Sequence, residues 1–100
     1  MSLKDIENLV AEVEEDLART RQTAAQLHRA RVKQPIERGM GTVVVSGYGR
    51  LLDVELDPMA IRHADPRRLG SYIVNALKAA EAKAEQTRAD RFNEIRRTAG

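Results

Sequence analysis

The sequence predicts an α+β domain in which a long helix, a three-stranded antiparallel sheet, a short helical turn and a second long helix follow one another. Three observations carry that prediction. Leu3, Ile6, Val10, Val13, Leu17, Thr20, Ala24, Leu27 and Arg31 recur at alternating spacings of three and four, which keeps one stripe of a helix facing a neighbour. The segment GTVVVSGYGRLLDVELDP, from Gly41 to Pro58, alternates apolar and polar residues about a glycine-bearing turn, as a hairpin does. Asp-Pro then occurs twice, at 57–58 and 65–66, and each copy places a side-chain acceptor before a residue with no N–H to leave unsatisfied, the signature of a helix start.

The first helix is expected over residues 3–31. Ser2 followed by Asp5 resembles a capping box, with Asp the weaker choice at its last position. Strand one, about 32–37, puts Val32, Gln34 and Ile36 on one side, and Pro35, which cannot donate to a ladder, assigns it to a sheet edge. Strands two and three are expected at about 42–47 and 50–56, with Val43 and Val45 on one face and Leu52, Val54 and Leu56 on one face. For odd residues to oppose even ones the connection must hold an even number of residues. That favours a two-residue turn at Tyr48-Gly49, with Val45 opposite Leu52 and Val43 opposite Val54. Gly47 and Gly49 are then read as turn residues with permissive backbone angles; no helix start follows them, so they do not cradle phosphate. A single helical turn is expected at about 58–62. A long helix is expected over 66–98, with Leu69, Ile73, Ala76, Leu77, Ala80, Ala84, Phe92 and Ile95 near one face.

These lengths do not match. Helices of about thirty residues reach roughly 45 Å, whereas strands of about six residues span some 20 Å. Both helices therefore overshoot the sheet, and as a lone pair they leave much of Leu3, Ile6, Leu9, Val10, Phe92 and Ile95 wet. A second copy is the economical cover, so a twofold homodimer with projecting helical arms is expected.

A chain of 100 residues is one ordinary domain. It has no Cys, hence no disulfide framework, thiolate metal site or thiol nucleophile. The N-terminus turns acidic by Asp5 without an apolar run of signal-peptide length, and no window approaches the roughly 18 apolar residues of a membrane span. A soluble, cytoplasmic protein without membrane partners is the expectation. The formal net charge is only +2 and does not announce nucleic-acid binding, but its distribution is uneven. Residues 1–18 carry a net −5, from one Lys and six acids, and residues 19–38 a net +5, from six bases and Glu37. Both swings complement the dipole of the first helix.

Catalytic chemistry is not indicated. Asp53, Glu55 and Asp57 share one strand face without a His neighbour and read as a solvated surface; His28 and His63 lack ligand spacing with each other. No nucleophile has an identifiable base, and no Walker-type or dinucleotide motif is present. No enzyme activity, cofactor or metal is expected.

The hairpin ending in Leu-Asp-Pro, followed by Ile61, Asp65, Leu69, Ile73, Ala76 and Ala80 and preceded by the amphipathic helix, resembles the YbaB/EbfC nucleoid-associated proteins over nearly the whole chain. That resemblance implies a tweezer-like dimer whose outer helices bind duplex DNA with little sequence preference, in the nucleoid, with a role in nucleoid organisation or gene regulation. Non-specific affinity comes mainly from Lys and Arg neutralising phosphates. The candidates are Arg19, Arg21 and Arg29 off the helix-one seam, Arg31, Lys33 and Arg38 near its end, and Arg88, Arg91, Arg96 and Arg97 on the last helix. The competing reading of the last group is a solvated face with Glu85 paired to Arg88 and Glu94 to Arg97. The acids from Asp5 to Asp16 are expected on the same arms as the terminal arginines, where they would neutralise them and shift DNA contact toward the arm base. With only Tyr48, Tyr72 and Phe92 as aromatics, duplex is favoured over single-stranded nucleic acid. The alternative is a protein-interaction adaptor of the same fold without DNA affinity.

Overall fold

In a computed structural model, which describes the backbone of residues 1–99 and side chains through Arg97, the elements follow the predicted order. They are α1 (Leu3–Arg29), β1 (Val32–Ile36), a 3-10 turn (Glu37–Gly39), β2 (Gly41–Val45), β3 (Leu51–Leu56), α2 (Pro58–Ile61) and α3 (Pro66–Ala99). Each start is capped as its sequence requires. Ser2 Oγ accepts from the Asp5 N–H and the Asp5 carboxylate accepts from the Ser2 N–H, closing the box. Asp57 accepts from the Met59 and Ala60 N–H groups, and Asp65 from that of Arg67, with Pro58 and Pro66 as first helical residues. α1 stops at Arg29, two residues before the expected Arg31, because Ala30 turns extended to lead into β1.

The sheet is antiparallel in the order β1-β2-β3, with Pro35 on the edge strand. Val43 faces Val54 as the alternation predicts, but Val45 faces Leu51 and not Leu52. The turn is the cause. Gly49 N–H donates to the Ser46 carbonyl and Ser46 N–H to that of Arg50, so three residues, Gly47 to Gly49, lie between the pair, with Gly49 at φ +80°. An odd loop would put every following side chain on the wrong face; a bulge between Val44 and Val45, opposite Leu51–Asp53, inserts one residue and restores the parity. Gly47 is also not the permissive turn residue expected, since its φ is not positive. Its backbone lies against α1, where an added Cβ would come within 2.6 Å of the Leu27 carbonyl oxygen.

The core lies between the sheet and α3. Ile36, Val43 and Val45 pack against Ala76, Ala80 and Ala84, whose four-residue spacing makes the small-residue stripe that lets α3 approach closely. α3 crosses β1 and β2, leaving Leu51, Leu52 and Leu56 of β3 exposed along with Met59 of α2 and Val74 of α3. α1 meets the rest through its C-terminal half, where Leu27 is buried. The extents are 73 × 17 × 15 Å and the radius of gyration is 20.3 Å, against about 13 Å for a compact domain of this length.

Candidate nucleic-acid interface

The hairpin loop determines how α1 and α3 meet. Gly47 N–H donates to the Leu27 carbonyl at 2.8 Å, satisfying one of the acceptors left open at the end of α1, and Arg88 Nη1 donates to the Gly47 carbonyl at 2.8 Å. The same guanidinium carbon stands 5.5 Å from the Tyr48 ring centroid, and the Tyr48 ring lies 4.5 Å from that of His28. Thr23, Gln26, Leu27 and Ala30 of α1 line one small cavity with Thr87 and Arg91 of α3, so Leu27 is roughly level with Arg88. Antiparallel helices rising about 1.5 Å per residue then place Arg97 roughly beside Ala18, so about 20 Å of α1 runs on beyond α3.

That overhang relocates the acids. Asp5, Glu7, Glu12, Glu14 and Glu15 occupy it, beyond the terminal arginines and not alongside them as the sequence suggested, and only Asp16 reaches the shared stretch. Asp16 takes its own helix's Arg19, Nη2 to Oδ1 at 2.6 Å. Leu3, Ile6, Leu9, Val10, Val13 and Leu17 are exposed, Leu3 by 72% and Val13 by 57%, whereas Phe92 and Ile95 are half-buried and not wet.

The ten basic candidates divide into two groups and two residues that stand by themselves. Arg19 and Arg21 of α1 and Arg96 and Arg97 of α3 lie along the arm, all but the half-buried Arg19 exposed. Arg29, Arg31 and Lys33 lie exposed where α1 passes into β1, and Arg91 borders a cavity of about 50 Å³ against the last turns of α1. Arg29 Nε donates to the Ala25 carbonyl of its own helix at 3.3 Å, which leaves the charge at the surface. Lys83 joins this group, its Nζ donating to the Lys33 carbonyl at 3.3 Å. Sequence reasoning missed it because only the packing of α3 across β1 brings the two lysines together; its one signal is its place beside the buried Ala84. Arg38 stands apart, beyond the far end of β1. Arg88 is the other: half-buried and bonded to Gly47, it fastens the loop, and its bond goes there and not to Glu85.

Arg29, Arg31, Lys33, Lys83 and Arg91 are thus exposed cations gathered where three elements meet at the base of the arm, a band that wraps the edge strand, since Lys33 alternates to the sheet face away from α3. Such a band makes a positive field whose range is set by salt. Among the described residues no cluster of His, Asp or Glu could hold a metal ion, and no helix is long and apolar enough to cross a membrane.

The profile of the YbaB/EbfC DNA-binding family matches residues 2–99. A nucleoid-associated protein of Rhizobium meliloti is 29% identical over 98 residues, covering 98% of this chain and 90% of that protein. One from Corynebacterium jeikeium is 26% identical over 83 residues, 83% of this chain and 80% of that protein. Among solved structures, an uncharacterised protein of Helicobacter pylori has the same fold, with a TM-score of 0.67 at 20% identity over 95% of this chain and 98% of the other.

Proposed function

The chain belongs to the YbaB/EbfC DNA-binding family, and from that premise we propose that it is a nucleoid-associated protein gripping duplex DNA as a homodimer, through backbone phosphates and with little sequence preference. The observation that carries the reading is the cationic band of Arg29, Arg31, Lys33, Lys83 and Arg91. Arginine and lysine heads at an open surface suit phosphate oxygens, and the band lies on no narrow element that would enter a groove and read base edges. The arm residues Arg19, Arg21, Arg96 and Arg97 extend the same surface, and a second copy would double it. Support for the dimer comes from the apolar stripe of α1, which a lone chain leaves in water.

Fluorescence anisotropy with random-sequence duplex across a salt series tests this. The expected result is binding that weakens linearly on logarithmic axes, with a slope of about −0.9 per phosphate neutralised. Replacing Arg31, Lys33 and Lys83 by Gln is expected to flatten that slope by roughly two to three per protomer, equally for unrelated sequences. No binding at low salt would reject the reading. The acidic overhang of α1 favours the rival, an adaptor that docks a basic protein, and a partner recovered from cells after nuclease treatment in the absence of any DNA affinity is the result that would establish it.

A further inference from the structure

The end of the molecule opposite the arm carries a second cationic site. Between the β1–β2 turn and the start of α3 lies a cavity of about 180 Å³ walled by Tyr72 and by Met40, with Arg38, His63, Asp65 and Arg68 around it. From Arg68 to Arg91 along α3 is roughly 35 Å, so the cavity is no part of the band at the arm base.

Its charge is cationic. Arg38 and Arg68 bring two guanidinium groups, and His63 adds an imidazole. Asp65 is the one carboxylate there, and its Oδ1 already accepts from the Arg67 N–H at 3.0 Å, at the positive end of a 34-residue helix. Arg38 also stands where arginine is an expensive choice: its backbone is at φ 61°, ψ 27°, and Gly39 beside it is at φ +66°. Glycine adopts that region freely whereas a residue with a Cβ is strained, so the turn by itself asks for glycine at 38. Space for several waters, with two arginines and a histidine lining one opening, suits a tetrahedral anion with several acceptor oxygens.

We propose that the cavity of Arg38, His63 and Arg68 is a phosphate-binding site, filled by a phosphodiester of a DNA backbone or by the phosphates of a free nucleotide. It goes beyond the DNA grip at the arm and can be read without it.

Titrating the isotope-labelled full chain with sodium pyrophosphate, with ATP and with a short duplex, while following amide resonances, separates the possibilities. Pyrophosphate is expected to shift the signals of residues 38, 63 and 68 in saturable fashion. Arg38→Gly and Arg68→Gln are each expected to weaken that response at least tenfold, with an unchanged response in Lys4→Gln, at the exposed far tip of α1. Arg38→Gly is expected to keep its helical circular dichroism and to melt no lower than the parent, and Arg68→Gln, at an exposed helical position, serves should it not. The same shifts with duplex identify a backbone diester as the source; with ATP and not duplex, a free nucleotide. Pyrophosphate shifts that are absent, confined to the arm or equal in the Arg38→Gly and Arg68→Gln variants would overturn the proposal.

Discussion

Arg88 illustrates how a candidate for phosphate contact can be committed to fastening the fold. A phosphate-facing arginine and a structural one look alike in sequence, since both lie off the apolar seam; what separates them is the Gly47 carbonyl, forty-one residues away, that the fold brings to 2.8 Å. Replacing Arg88 by Ala is expected to destabilise the chain by about 1–2 kcal/mol, from the charge-assisted hydrogen bond and the contact with Tyr48, as read by urea denaturation. Glycines divide in the same manner. Gly41 is held at φ +143° with a hypothetical Cβ 1.9 Å from the Glu55 carbonyl oxygen, so no side chain fits there. Gly70 sits exposed in α3 with nothing within 4 Å of that position, and Gly70→Ala is expected to raise stability by about 0.5–1 kcal/mol, seen as a higher melting temperature.

Among the elements, the helix starts were the most legible, because a cap is a local contract: Ser2 with Asp5, Asp57 with Pro58 and Asp65 with Pro66 need only their own neighbours. The cap of α1 has a pH signature. The hydrogen bond from the Ser2 N–H, followed by that with its hydroxyl, holds the Asp5 carboxyl below its ordinary 3.8. A depressed carboxyl stabilises the folded turn above that ordinary value and loses its contribution as pH falls through the lower, folded one. The helical carbon shifts of residues 3–6 are therefore expected to decay below about pH 3.8 and to lose this step in Asp5→Asn, which frays already at neutral pH. The hairpin was half legible. Alternation determined that Val43 meets Val54, since both are apolar and share a buried face, but a three-residue loop with a bulge and a two-residue loop without one deliver the same parity at that pair. Only the ladder near the turn, where Val45 meets Leu51, tells them apart.

For the whole molecule, the 73 Å length and the bare stripe from Leu3 to Leu17 are the facts with the largest consequence. Five large apolar side chains on the overhang that α3 does not reach, with the exposed Leu17 at its edge, suit burial against a second copy, and the exposed Leu52 and Leu56 of β3 can join that interface. Multi-angle light scattering at micromolar concentration is expected to give the mass of two chains. Val13→Glu, at an exposed position that leaves the sheet–α3 core untouched, is expected to shift the population toward single chains; an unchanged dimer would move the interface off this stripe. The basic residues were legible only in part, and their arrangement was not. That Arg31 and Lys33 follow α1 is written in the order of the chain, whereas Lys83 joins them, and Arg68 joins Arg38, only because α3 folds back across β1.

The sequence by itself determined the order of elements, the caps, the edge position of β1 and the pairing of Val43 with Val54, because each depends on spacing within a few residues or on side-chain parity. Tertiary structure alone decided which cations share a surface, which arginine is spent on a carbonyl, and that the acids of α1 lie beyond the arginines of α3. Those depend on the axial offset of two helices, and a periodic seam tolerates several such offsets until a contact distant in sequence, here Gly47 with Leu27 and Arg88, selects one.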